Sequence, residues 1–350
     1  MSRPAIPEAS RRRLDDTVEA LRALVPPTWQ VRVARRNAEG GDVEVVSEDG
    51  TGTSLAVVTR KRLEPRSVDH LPFTEQPTVV FAKWLSPRTR ELLRERQVGF
   101  VDSTGNVELR LPRPALTIRT DGADRDPDPK PSNGPTLRGP RAWALMRTLV
   151  EVRPSYTAGD LAARLDLDNG YVSKVLQTLV DDRLIDRQPR RPVTDVSWEA
   201  LLRQIVSSYS LFDSNETSTW VASSGPERLL ADLGVKGPRR WAVSGSFAAS
   251  GLISVAAAQT AVIYTDDPER LAKIGRLLPT PTGANVVLAQ PFDPIVFDRL
   301  RTDGNYPRVS VAQTAIDLLT GSARMPEEGE ALLGWMKRNE GRWRSGSLEG

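Results

Sequence analysis

The run DLDNGYVSKVLQTLVDDRLIDRQPRRPVTDV, Asp166–Val196, sets a helical pattern against a basic, proline-bearing tail. Asp168 is placed to cap a helix beginning at Asn169, because its carboxylate can accept from the free amides of the first turn. Val172, Val175, Leu176, Leu179 and Val180 then recur at three- and four-residue spacing and give that helix one apolar face. Away from that face stand Asn169, Tyr171, Ser173, Lys174 and Gln177, hydrogen-bonding groups with a single cation. The acidic pair Asp181–Asp182 comes only at the far end. A helix that merely meets solvent usually mixes Glu with Lys, so this outer face has the chemistry of one that reads base edges.

The flanking sequence fits that reading. Ala158–Leu165 predicts a short helix with Thr157 as its cap, ending just before the break at Asp166–Asp168, so the two helices form a helix-turn-helix. Ala142–Val152 predicts a helix before them, offering Leu145, Met146, Leu149 and Val150 to a core. After the second helix, Leu184-Ile185 leads toward a strand, and Arg187, Arg190 and Arg191 surround Pro189 and Pro192. A stiff basic hairpin in this position is a wing, whose arginines reach phosphates or the minor groove. Arg138 and Arg141, at the start of the first helix, are placed to meet the DNA backbone. The competing reading is a three-helix packing module that happens to lie near arginines. Helix spacing, outer-face chemistry and basic hairpin agree independently on DNA.

The stretch TAGDLAARLDLDNGYVSKVLQTLVDDRLIDR resembles the winged helix-turn-helix of many bacterial regulators. With VTDVSWEALLRQ, RWAVSGSFAAS, VSVAQTAIDLLTG and ALLGWM it is similar, over about residues 140–336, to actinobacterial relatives of the antitoxins of abortive-infection type IV toxin–antitoxin systems. That resemblance implies a DNA-binding regulator whose C-terminal region has other duties. The chain departs from the family in carrying a whole domain in front.

That domain covers about residues 1–120. Arg13–Leu24 predicts an amphipathic helix, Val43–Val46, Leu55–Val58, Val79–Ala82, Val98–Val101 and Val107–Leu111 predict strands, and Ser86-Pro87 opens a helix through Leu92-Leu93. Mixed in this order they predict an α/β fold, and FVDSTGNVELRL resembles restriction-endonuclease-like cores. Asp121–Gly139 is rich in Pro, Asp and Gly and reads as an exposed linker.

Composition removes several chemistries. With no cysteine and only His70, thiolate nucleophiles, disulfides and cysteine- or polyhistidine-ligated zinc are excluded. The basic start lacks an apolar h-region, so it is not a secretory signal. Ala242–Tyr264 is uncharged but Ala-, Ser- and Gly-rich, and reads as a small-residue helix followed by a buried strand rather than a membrane span. A cytoplasmic address fits.

Three enzymatic readings compete. A metal-dependent nuclease needs clustered acids, and the strand Leu55–Lys61 has Lys61 but no acid at Ala56–Thr59; Asp42, Glu44 and Asp102 are scattered. Asp102–Asn106 reads as a tight turn. Ser244-Gly245-Ser246 resembles the phosphate loop of nucleotidyltransferases, yet Asp266 and Asp267 are adjacent and read as a turn and a helix cap rather than a metal pair. His70 sits beside Asp69 without a nucleophile elbow, and reads as a loop residue.

The expectation is therefore an α/β and α+β multidomain protein. It has a restriction-endonuclease-like domain that is not an active nuclease (1–120), a linker (121–139), a winged helix-turn-helix (140–197) and a nucleotidyltransferase-like α/β domain (198–350) ending in a helix around Glu328–Lys337. It is expected to be a non-enzymatic transcriptional regulator without cofactor or metal, acting as a homodimer on double-stranded DNA. The alternatives are a nuclease targeted by the winged domain and an antitoxin-like protein that binds a toxin through its C-terminal region.

Overall fold

The computed structural model describes residues 8–72, 74–128, 137–254, 258–302 and 304–349. Packing divides the chain into two compact units, Met1–Pro131 with Asp181–Arg183, and Ser132–Val180 with Leu184–Gly350. Both mix helices with sheet.

The first unit runs α1 (Glu8–Leu24), β1 (Gln30–Asn37), β2 (Gly40–Val46), β3 (Gly52–Thr59), β4 (Thr78–Ala82), α2 (Pro87–Glu95), β5 (Gly99–Asp102), β6 (Val107–Leu111) and β7 (Leu116–Thr120). Its seven strands form one sheet in chain order. β3, β4 and β5 pair in parallel, and every other neighbouring pair is antiparallel. Alternation along the strands sends Val57, Val79 and Val101 to one face and Val58, Val80 and Phe100 to the other. α1 covers the first face with Leu14, Val18 and Leu21, and α2 covers the second with Leu92 and Leu93. Ser86 starts α2 as expected, its hydroxyl accepting from Thr89 N at 3.1 Å with Pro87 behind it.

Two strands of this unit escaped the sequence reading. β1 buries only Val31, its other residues being exposed or half-buried, and β7 is an edge strand with no fully buried residue. Neither offers the apolar run that marks a central strand.

The expected linker is corrected in its first half. Residues 121–128 are tied to this unit, because their polar groups have partners in it. Trp84 Nε1 donates to the Ala123 carbonyl at 3.0 Å, Arg90 pairs with Asp124 at 2.6 Å, Lys83 pairs with Asp128 at 3.0 Å, and Arg62 pairs with Asp126. Gly122 lies so close to the Asp102–Asn106 turn that a Cβ there would stand 2.2 Å from the Thr104 carbonyl oxygen. Residues 129–136 lie outside the described residues.

The second unit opens with α3 (Pro140–Glu151), α4 (Ala158–Leu165), α5 (Asn169–Asp181) and a hairpin of β8 (Ile185–Arg187) and β9 (Val193–Val196). It continues through α6 (Trp198–Val206), α7 (Leu211–Ser214), β10 (Glu216–Val221), α8 (Pro226–Lys236), β11 (Trp241–Ser244), α9 (Gly245–Ala249), β12 (Ala261–Thr265), α10 (Pro268–Gly275), β13 (Leu278–Pro279) and β14 (Val286–Gln290). α11 (Val311–Leu319), α12 (Met325–Arg338) and α13 (Glu340–Trp343) complete it. Five strands form a mixed sheet in the order β11-β12-β14-β10-β13.

The expected division at 197/198 does not appear in the packing. One core joins Leu145 and Leu149 of α3, Val175 and Leu176 of α5, Leu201 and Ile205 of α6, Ile316 of α11 and Leu332 and Met336 of α12. Trp143 of α3 stacks on Tyr209 with ring centroids 5.5 Å apart. Fully buried Arg147 of α3 pairs with Glu151 at 2.9 Å and donates to the Asp298 carbonyl at 3.0 Å. α3 is therefore interior to the whole unit, a fact hidden by its ordinary amphipathic look. The uncharged stretch 242–264 contains the expected small-residue helix and the buried strand after it, preceded by the end of another strand. It holds the end of β11, then α9, then most of β12, with residues 255–257 outside the described ones. Among the described residues no helix is long and apolar enough to cross a membrane.

Candidate nucleic-acid interface

Thr157 and Asp160 start α4 with reciprocal bonds: the Thr157 hydroxyl accepts from Asp160 N at 3.1 Å, and the Asp160 carboxylate accepts from Thr157 N at 2.7 Å. Asp166 ends α4 in a left-handed conformation (φ 51°), turning the chain so that Leu167 N reaches the Ala162 carbonyl at 2.9 Å. Asp168 Oδ1 then accepts from Tyr171 N at 2.8 Å and starts α5. These caps fix the turn between two short helices. Val172, Val175, Leu176 and Leu179 hold α5 to the core, and Val180 is half-buried rather than fully inside.

Helical geometry sorts the expected readers. At about 100° per residue, Lys174 and Gln177 stand opposite the buried stripe, and both are exposed. Asn169 is exposed at the first turn, while Ser173 and Tyr171 are half-buried on opposite flanks. Burial pushes the Tyr171 hydroxyl up, with the Arg141 charge partly opposing it. Gly170, exposed four residues before Lys174, belongs to the same outward stripe and was not among the expected readers, whereas Thr178, four residues after, is half-buried on the flank of Tyr171.

β8 and β9 pair through Ile185–Val196 and Arg187–Val193, and Tyr156 bridges to Val193 on the other side of β9. The tip is a turn closed by Arg191 N on the Gln188 carbonyl at 3.0 Å, with Pro189 second and Arg190 third at φ 59°. Arg190 and Arg191 are exposed; Arg187 is half-buried, and its Nε donates to the Arg191 carbonyl at 2.9 Å, so it also braces the turn. Asp186 and Asp195 face each other across the strands, one step farther from the tip. Positive charge is thus concentrated at the end of the hairpin. Arg138 and Arg141 are exposed at the start of α3.

The other candidate sites resolve differently. Asp102 is buried, and its two oxygens accept from Leu85 N, Thr104 N and Oγ1, and Asn106 N and Nδ2 at 2.7 to 3.1 Å. It organises the turn. Glu44 pairs with Arg32 at 3.3 Å, Asp42 is half-buried on β2, and Lys61 is exposed beyond β3. His70 is exposed at the end of a 3-10 turn, Pro65–His70. Among the described residues no three acidic, histidine or cysteine side chains gather as a metal site.

In the glycine–serine run both serines are bound to the protein's own carboxylates. Fully buried Ser244 donates to Asp317, Gly245 takes φ 64° to turn into the five-residue α9, and Ser246 Oγ donates to Glu328 Oε2 at 2.5 Å. Carboxylates already stand where the loop would hold an anion. Beside it lies a cavity of about 570 Å³, lined by Ser246, Gln259, Thr260, Arg324 and Glu328 together with apolar groups. Asp267 caps α10 by accepting from Arg270 N at 2.9 Å, as its place before Pro268 suggested, and Asp266 pairs with Arg240 at 3.2 Å.

No family model, no curated protein and no solved structure matches the chain.

Proposed function

We propose that the protein is a sequence-specific DNA-binding transcriptional regulator and that residues 140–197 act as a winged helix-turn-helix. The observation that supports it most is the joint geometry of α5 and the hairpin. A capped helix turns Lys174 and Gln177 away from the core, and the next element carries Arg190 and Arg191 on an exposed tip. In this reading Lys174 and Gln177 meet base edges in the major groove, with Asn169 and Ser173 beside them and Tyr171 packing at the edge of the contact. Arg187, Arg190 and Arg191 take phosphates or the minor groove, and Arg138 and Arg141 the backbone near α3.

The first unit then serves as a nuclease-like scaffold without a cleavage centre, since Asp102 is committed to its own turn. The nucleotidyltransferase-like second half of the chain shares the core of the winged part, so it sets the position of α3 rather than adding catalysis. The resemblance to antitoxins adds a protein partner for that region. A homodimer on a two-fold site, a cytoplasmic address and no cofactor complete the proposal.

Fluorescence anisotropy of a labelled mixed-sequence duplex tests the electrostatic half of this reading. Binding at about 50 mM salt that weakens linearly on a log–log plot as salt rises supports it. No binding at that salt sinks it.

A further inference from the structure

We propose that the first unit carries a binding site for a phosphate monoester, built from Arg94, Arg110 and Arg119 around the buried carboxylate of Glu108. The site lies at one end of the sheet, on the α2 face. Glu108 and Arg110 are two apart on β6 and so share a face, Arg119 of β7 is the cross-strand partner of Glu108, and Arg94 comes from the last turn of α2. Together with Thr78, Gln97 and the backbone near Gly99 they line a cavity of about 180 Å³.

Charge and donor count both exceed what the protein itself uses. Glu108 is 5% exposed, and its Oε1 accepts from Arg110 Nε at 3.2 Å and Nη2 at 2.8 Å. Its Oε2 accepts from Arg94 Nε at 3.3 Å and lies 3.7 Å from Arg119 Nε. Burial alone would raise this carboxyl, yet Arg110 and Arg94 hold it below its ordinary value, so it remains ionised. Three guanidiniums against one carboxylate leave two positive charges at the cavity. Each guanidinium has five N–H donors, and among the described residues both Nη groups of Arg94 and of Arg119 and Nη1 of Arg110 meet no acceptor. Arg94 is further fixed by its position 5.2 Å over the Phe100 ring.

A single buried acid thus binds two forks and draws the third within 3.7 Å while satisfying few of their donors. A dianion with several acceptor oxygens matches this surplus, and arginine forks bind phosphate oxygens bidentately. The cavity has room for a phosphate and a few further atoms, not for a duplex. Its occupant is either a phosphorylated small molecule or the terminal phosphate of a nucleic-acid strand. The inference does not rest on α5 or the hairpin.

Titration calorimetry of the full chain with inorganic phosphate, against chloride at matched ionic strength, tests it. Arg110 and Arg119 are mostly exposed, so Arg110→Gln/Arg119→Gln keeps the fold, which the thermal transition checks. The double variant should bind phosphate about tenfold or more weakly. Phosphate that binds no better than chloride, or equally well to the double variant, overturns the site. Two further arms distinguish the sources. Competition by ribose 5-phosphate points to a small molecule. A gain for a 5′-phosphorylated single strand over its 5′-hydroxyl twin, lost in the double variant, points to a strand end.

Discussion

Ser244 Oγ donates to Asp317 Oδ2 at 2.5 Å, and both residues are fully buried in the second unit. The first residue of the glycine–serine run is therefore a structural donor. Gln313 Nε2 at 2.9 Å and the hydroxyls of Tyr209 and Tyr264, each at 3.1 Å, complete the shell of Asp317. Ser244→Ala should destabilise the second unit by about 1–3 kcal/mol, because it removes a hydrogen bond to a buried carboxyl. Denaturant unfolding measures this. An unchanged midpoint would show that the bond contributes nothing.

The same carboxyl predicts a pH dependence. Burial pushes Asp317 up to about 6, with Ser244, Gln313, Tyr264 and Tyr209 opposing the shift. Its folded value lies above the unfolded value of about 3.9, so the folded state holds the proton more tightly. The stabilisation is complete below the unfolded value and is lost as pH rises through about 6. Between about pH 7 and pH 5, the second unit of the wild type should gain stability relative to Asp317→Asn, which cannot titrate there. Parallel pH profiles for the two proteins would contradict this.

Asp102 separates the regulator from the nuclease. Five hydrogen bonds converge on its two oxygens inside the first unit. Asp102→Ala leaves those donors unmet and should cost about 3–5 kcal/mol, the range for stripping a partner from a buried charged group. Circular dichroism through a urea series reads the loss. A variant of wild-type stability whose magnesium-dependent DNA cleavage has vanished would instead make Asp102 a metal ligand.

Arg190 occupies a turn position with φ 59°, where glycine is favoured and an L side chain costs about 1 kcal/mol. Arg190→Gly should therefore raise stability by about 0.5–1 kcal/mol while weakening binding to all duplexes alike and lowering the salt slope by about 1. The opposite signs distinguish a functional side chain from a structural one. Unchanged affinity with raised stability would remove Arg190 from the interface.

Lys174 and Gln177 should behave otherwise. Replacing either with Ala is expected to relax preference at particular base pairs, with a loss of about 1–3 kcal/mol on the preferred sequence and little on random DNA. Competition between specific and random duplexes gives the ratio. An equal loss on both would demote the residue to a backbone contact.

Much of this was legible because local rules coincide with the fold. The caps at Ser86, Thr157 and Asp168 and the apolar stripe of α5 are short-range patterns, and each appears where spacing places it. What could not be read depends on distant partners. The Asp121–Asp128 segment has the composition of a linker, but Trp84, Arg90 and Lys83 bind it from elsewhere in the chain. Nothing near Arg147 announces a fully buried cation, because Glu151 satisfies only part of it and the rest comes from residues about 150 positions away. Charge on the proposed interface was half legible. The arginines of the hairpin were evident, whereas the division of α5 into a central stripe and two flanks required the helix to be placed against its core.

The central claim is tested most directly by capturing sheared genomic DNA with the purified full chain, with and without magnesium, and sequencing what is bound. The account predicts enrichment of a short two-fold motif on fragments with intact ends, lost when Lys174 and Gln177 are both replaced by Ala. Uniform recovery of all sequences, or a motif indifferent to those replacements, would contradict it.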